Sequence, residues 1–325
     1  MKKLLLSVAI LATSFGFAQT LQSENFNTLT LGNLTTDITA ATAGQGGWFT
    51  ESVNGAVPTT STNANVSNYQ VITNGKNTTS GLSVVGPNGD KGSRFMWKDG
   101  LPAAWTSRTS GNNIIQVEVD INPGVRGTSK NLFGARIYNA DYSKTLVGFQ
   151  VSAATGVLNL IAYSTPAGSP VGNYSYNLAA APGVTIPENV WTRIGISYNY
   201  TTGEVLINAS SFTAGALALS GSAAMTDPAE VDFIVTSGTT TAGGNNAAAG
   251  TMTFDNYTTT ASSTDTLLGT EKNDLTNNTT TVYPNPAKDV LNIKSSGATN
   301  INAVNVVDLN GRQVISKSFN NVSDA

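Results

Sequence analysis

Over residues 114–121 the sequence alternates with a period of two. Ile115, Val117, Val119 and Ile121 fall on one side, and Gln116, Glu118 and Asp120 fall on the other. Only an extended strand sends such positions to opposite faces. A strand with one apolar face must bury that face against a second layer. Asn122-Pro123-Gly124 then stops the strand, because Pro cannot donate to a ladder and Gly frees the turn. Shorter runs of the same kind predict strands at 132–138, 145–151, 157–163, 192–200, 204–208, 231–236 and 251–258. Thr201-Thr202-Gly203 marks a hairpin turn, and Ala154-Thr155-Gly156 a second one.

Composition agrees with this reading. The chain holds 44 Thr, 35 Asn and 32 Gly in 325 residues. Charged residues make up 11%, against about 25% in ordinary chains. Thr suits strands and Asn and Gly suit turns, while the Lys, Glu and Gln of exposed helix faces are scarce. No convincing helix and no repeat of about 20 to 50 residues is found. The fold expected over residues 19–260 is therefore all-β, a large sandwich, with long surface loops at 53–68 and 238–250.

Cysteine and histidine are both absent. That removes disulfides, thiolate nucleophiles, Cys-ligated metals and every His-dependent triad or dyad. Any catalysis would rest on carboxylates, Lys, Tyr or an all-oxygen metal site. A formal net charge of -3 gives no electrostatic reason for a nucleic-acid or anionic-membrane partner.

The two ends carry addresses. Met1-Lys2-Lys3, an apolar run over 4–15 and the small residues Gly16 and Ala18 predict a signal peptide over 1–18. The apolar run is shorter than a membrane span of about 20 residues, and no later stretch is apolar enough to be one. A polar linker is expected at 261–280. Beyond it Tyr283-Pro284-Asn285-Pro286 forms a turn, Asp289-Val290-Leu291-Asn292-Ile293 alternates, and Val307-Asp308-Leu309-Asn310-Gly311-Arg312 centres a hairpin on Asn-Gly.

These residues resemble the type A C-terminal sorting domain of proteins exported by the type IX secretion system of Bacteroidetes. The resemblance implies a small β-sandwich read by the export machinery, and an extracellular or outer-membrane-surface location. It makes Tyr283, Pro284, Asn285, Pro286, Asp308, Asn310 and Gly311 an address. Such domains continue through further strands to a basic end, so the copy at 281–325 reads as incomplete. In the body, Asn189-Val190-Trp191 followed by the strand, hairpin and strand to Ile207 is similar to laminin-G-like and concanavalin-like lectin domains, which implies a jelly-roll sandwich.

Three constellations could carry chemistry. Glu118-Val119-Asp120 resembles the Glu-x-Asp start used by laminarinase-type glycoside hydrolases. That family completes its motif with a second Glu two or three residues on, where this chain has Asn122 and Pro123. The pair is read as a solvated strand face and only a weak catalytic candidate. Glu24, near the first strand, and Asp255, near the last, match positions where extracellular jelly rolls hold a structural Ca²⁺ with hard oxygen ligands. Trp97 and Trp105 flank Lys98-Asp99-Gly100-Leu101-Pro102 and are the candidate sugar-stacking platform, while Trp191 is assigned to the core. Asp265-Thr266-Leu267 resembles a Bacteroidetes O-glycosylation sequon, which would modify Thr266.

The sequence favours an exported, non-catalytic protein that binds extracellular polysaccharide or serves in adhesion. A carboxylate-based polysaccharide-degrading enzyme and a purely structural surface protein are the alternatives.

Overall fold

The computed structural model describes residues 18–54, 63–178, 183–212, 217–240, 244–268, 280–283, 292–295, 301–307 and 313–322. The chain divides at Leu268 into two compact units. The expected signal peptide lies, apart from Ala18, outside the described residues.

The larger unit is a β-sandwich. Its strands begin with β1 (Gln19–Glu24), β2 (Gly32–Asn33), β3 (Trp48–Val53), β4 (Tyr69–Ile72), β5 (Gly81–Val85) and β6 (Ser93–Lys98). After one short helix, α1 (Leu101–Thr106), follow β7 (Ile114–Asn122), β8 (Leu132–Tyr138), β9 (Thr145–Ser152), β10 (Leu158–Ser164) and β11 (Gly172–Asn177). Then come β12 (Thr192–Asn199), β13 (Glu204–Ala209), β14 (Leu217–Ser220), β15 (Glu230–Thr236), the two-residue strands β16 (Thr239–Thr240) and β17 (Gly244–Asn245), and β18 (Thr251–Ser262). The first sheet runs β14-β13-β12-β7-β18-β5-β4-β2, with β1 added beside β18. The second runs β11-β10-β9-β8-β15-β6-β3.

Each strand expected from the sequence is found, and β2 to β6, β11, β14, β16 and β17 were not foreseen. The inner face of β7 is as expected: Ile115, Val117, Val119 and Ile121 lie in the core between the sheets. Opposite them the second sheet supplies Phe133, Ala135, Val147, Phe149, Val231, Phe233 and Val235. An aromatic cluster centres on Phe233, whose ring meets Phe254 at 5.3 Å, Tyr257 at 5.1 Å and Trp48 at 5.7 Å edge-on. Edge-to-face pairs of this kind add about 0.5–1.5 kcal/mol each beyond their buried area. Trp191, assigned to the core, is only half-buried.

The outer face of β7 corrects the expectation of a solvated strand. Gln116 is 3% exposed and Asp120 1%. Over Gln116 and Glu118 the cause is the stretch 263–268, which does not leave as linker but lies back across the sheet, while Asp120 is covered by Lys76, Arg193 and Asn256. The Thr266 amide donates to Gln116 Oε1 at 2.8 Å, and the Leu268 amide to Glu118 Oε1 at 3.0 Å. Asp265 accepts from the Ser197 hydroxyl of β12. Leu267 is buried, and Gly195 makes room for it: a Cβ there would meet Leu267 Cδ2 at 2.9 Å. The sandwich therefore ends at Leu268 and not at 260.

In the smaller unit β19 (Thr280–Tyr283) pairs with β20 (Asn292–Ser295), and β21 (Ile301–Val307) with β22 (Gln313–Val322). Tyr283 pairs with Asn292. The sorting-motif positions Pro284, Asn285, Pro286, Asp308, Asn310 and Gly311 fall outside the described residues. Among the described residues no helix is long and apolar enough to cross a membrane.

The strap gives a test. Burying one Leu is worth about 1.5–3 kcal/mol and each net hydrogen bond about 1 kcal/mol. A chain ending at Ser262 should therefore melt about 10 °C below one ending at Leu268, as read by calorimetry. Equal melting temperatures would show the strap to be idle.

Candidate functional site

The acidic pair of β7 is locked. Arg193, on the neighbouring strand β12, brings Nε and Nη2 to 2.9 Å from Glu118 Oε2, and Nη1 to 3.4 Å from Asp120 Oδ2. The same guanidinium donates to the Asn256 carbonyl at 3.1 Å and to the Thr258 hydroxyl at 3.4 Å on β18. Asp120 Oδ1 takes Lys76 Nζ at 3.0 Å, and its Oδ2 takes Asn256 Nδ2 at 2.9 Å. One arginine thus clamps three adjacent strands, and both carboxylates have their oxygens filled by donors. Glu118 and Asp120 are a structural staple rather than a free acid/base pair.

The expected calcium residues also have other partners. Glu24 Oε1 accepts the amides of Asn25 and Phe26 at 3.1 and 3.0 Å, and its Oε2 pairs with Lys98 Nζ at 3.2 Å. Asp255 is fully buried and accepts from the amides of Lys76 (2.8 Å) and Asn256 (2.7 Å) and from the Thr79 hydroxyl (3.2 Å). Burial raises its carboxyl above the ordinary range despite those bonds. The oxygens that Ca²⁺ would take as ligands are thus engaged by N–H groups, a hydroxyl and an ammonium. Glu24, Arg193 and Asn256 do share a cleft of about 370 Å³ with Ser23, Asn25, Tyr257 and Thr258.

The two tryptophans separate. Trp105, on α1, is 1% exposed; its indole donates to Asp227 at 2.9 Å, and the Arg108 guanidinium covers its ring at 3.7 Å. It is core and cannot stack on a ligand, so that assignment is corrected. Trp97 stays on the outer face of the second sheet, stacked on Phe49 at 5.9 Å and 15°. Thr266 is exposed while its hydroxyl stands 3.1 Å from Gln116 Nε2.

Around Trp97 the second sheet assembles a surface the sequence did not reveal. Since Val231, Phe233 and Val235 point inward, Glu230, Asp232 and Ile234 of β15 point outward. Asp232 pairs with Arg136, and Ile234 with Phe95. The β15–β6 register, carried one residue further, sets Trp97 beside Asp232. Asp232 (5% exposed) and Ile234 (3%) form the floor, while Phe49, Glu51, Phe95, Trp97 and Arg136 are half-buried around them. Gly148 makes room for Arg136: a Cβ there would meet Arg136 Cγ at 2.7 Å.

This floor is electrically unfinished. Asp232 Oδ1 and Arg136 Nε are buried with no hydrogen-bond partner. Each such orphan costs about 1–3 kcal/mol, and native structures keep few of them. Burial, with Glu230 bonded beside it, pushes the Asp232 carboxyl up to about 9. Glu230 is raised as well, mainly by burial. Tyr142, 56% exposed at φ 57°, bonds to Glu230 and packs edge-on against Tyr138 at 5.9 Å.

Comparison with known proteins adds the following. Residues 281–325 match the family model of the secretion system C-terminal sorting domain. No curated protein matches the chain. Among solved structures, the chain is similar to a marine alginate lyase from Aplysia kurodai (11% identity, 75% of this chain and 100% of that one, TM-score 0.45). It is also similar to an alginate lyase from Chlorella virus (12%, 72% and 99%, 0.43). A third is the CBM2 module of the evolved Dit protein of Lactobacillus casei BL23 phage J-1 (10%, 77% and 98%, 0.40). The 281–325 segment marks a type IX sorting signal, so the protein is export cargo with an extracellular or cell-surface destination.

Two variants test the contrast between the clusters. Arg193→Met leaves two carboxylates without their shared cation and should cost about 2–3 kcal/mol, a melting loss of about 5–10 °C. Asp232→Asn should do the opposite at neutral and alkaline pH. The folded chain holds the Asp232 proton more tightly than the unfolded one, so wild-type stability falls as pH rises from the ordinary 3.8 towards about 9. The variant removes that fall, and thermal melts across this range would show a flatter profile and a higher melting point at pH 8. A profile identical to wild type would refute the raised carboxyl.

Proposed function

We propose that the sandwich is a glycan-binding module delivered to the cell exterior by its type IX signal, with the outer face of the second sheet as the binding surface. One observation carries this reading: the stacked pair Phe49 and Trp97 adjoins a buried carboxyl and a half-buried guanidinium that each keep a buried, unpaired polar atom. A sugar ring offers an apolar C–H face to the aromatic pair and hydroxyls that can both accept and donate. It would therefore satisfy Arg136 Nε and Asp232 Oδ1 together. The edge cleft beside Arg193 lacks this character, since the carboxylates there are already bonded.

The alternative of hydrolysis by Glu118 and Asp120 has no support in the geometry, because Arg193, Lys76, Asn256 and the Leu268 amide hold both groups.

Binding to a panel of soluble oligosaccharides should weaken by about tenfold or more in Trp97→Ala, with the melting point nearly unchanged. Trp105→Ala should instead lose about 3–5 kcal/mol of stability through the cavity it opens. Undiminished affinity in folded Trp97→Ala would place the ligand elsewhere.

A further inference from the structure

Resting on that glycan surface, we infer that its ligand class is a glycan bearing free amino groups, with the sugar ammonium seated on Asp232 and its neighbours Glu230 and Glu51. The floor of the trough is acidic. The charged groups that bear on Asp232 are Glu230, Glu51 and Arg136, two carboxylates against one guanidinium. Asp99, at the end of β6, adds a further negative charge near Glu230. Arg136 faces Asp232 across the β8–β15 pair, but no salt bridge joins them among the described residues.

Two independent features show that the cluster is built to receive something. Asp232 is 95% buried by its 5% exposure, points to the outer face, and leaves Oδ1 without a donor. Arg136 Nε, on the next strand, is a donor without an acceptor. A 2-amino sugar brings both complements on one ring: an ammonium with three donors for the carboxyl, and a hydroxyl or ring oxygen for the guanidinium. Its C–H face rests on Trp97, which the register sets beside Asp232. The raised carboxyl is what burial produces when no cation stands close enough, and an ammonium would supply that cation. A neutral glycan satisfies the hydrogen bonds but brings no cation to hold the Asp232 carboxyl in its charged form. A polyuronate adds carboxylates to a surface that already holds them in excess, and like charges in a partly buried site repel strongly.

Isothermal titration of the intact chain with four oligomers of equal length decides the matter: glucosamine, N-acetylglucosamine, β-1,4-glucose and uronate. The glucosamine oligomer should bind about tenfold more tightly than its acetylated and glucose counterparts, and the uronate most weakly. Asp232→Asn should erase that preference while keeping the glucose oligomer's affinity, because the Trp97 stack remains. Glu51→Gln, at a half-buried position, should narrow the preference by a smaller factor and serves should Asp232→Asn fail to fold. Equal affinity for glucosamine and glucose oligomers, or tightest binding of the acetylated or uronate oligomer, overturns the amino-sugar class and leaves the glycan surface standing. No binding of any of the four overturns both.

Discussion

The ring of Phe233 joins the two sheets at the centre of the core. It is held edge-on by Phe254 and Tyr257 from the first sheet and by Trp48 from β3. With no disulfide available, the two layers are joined by this packing and by the apolar rows on either side of it. Because strand side chains alternate, anchoring Phe233 inward forces Asp232 and Ile234 outward at fixed positions. The floor of the proposed site is thus the reverse side of the core, and it needs no loop to shape it.

Charge is scarce in this chain, and where it gathers on the two sheets the outcomes differ. On the first sheet Arg193, Lys76, Glu118 and Asp120 complete one another's bonding across adjacent strands. On the second, Asp232 and Arg136 face each other and keep unpaired atoms. Burying polar groups without partners is costly, so the saturated cluster reads as stabilisation and the unsaturated one as function. Export carries the protein, and with it that second surface, to the extracellular or cell-surface side.

Much of this was legible in the sequence, in a patterned way. The period-two run in 114–121 located the central strand and its core face, since alternation depends on local sequence alone. Its other face was misread because the strap that covers Gln116 comes from Asp265 to Leu268, about 150 residues away. The same distance problem divides Trp97 from Trp105: α1 turns Trp105 under Arg108 and towards Asp227, and no local pattern reveals that contact. Asp232 escaped notice because Val231-Asp232-Phe233-Ile234-Val235 reads as a buried strand with one interruption. Starting that strand at Glu230 would have shown acidic residues at i and i+2 on one face.

The central claim is that the face of β6 and β15 carrying Trp97 and Asp232 meets the ligand. The four tryptophan indoles report on it separately, since Trp48 and Trp105 are core, Trp191 is half-buried away from that face, and Trp97 stands on it. In a nitrogen-15 spectrum of the intact chain, saturating glucosamine oligomer should shift the Trp97 indole resonance and leave those of Trp48, Trp105 and Trp191 in place. Movement of the Trp191 signal with Trp97 unchanged would contradict the account.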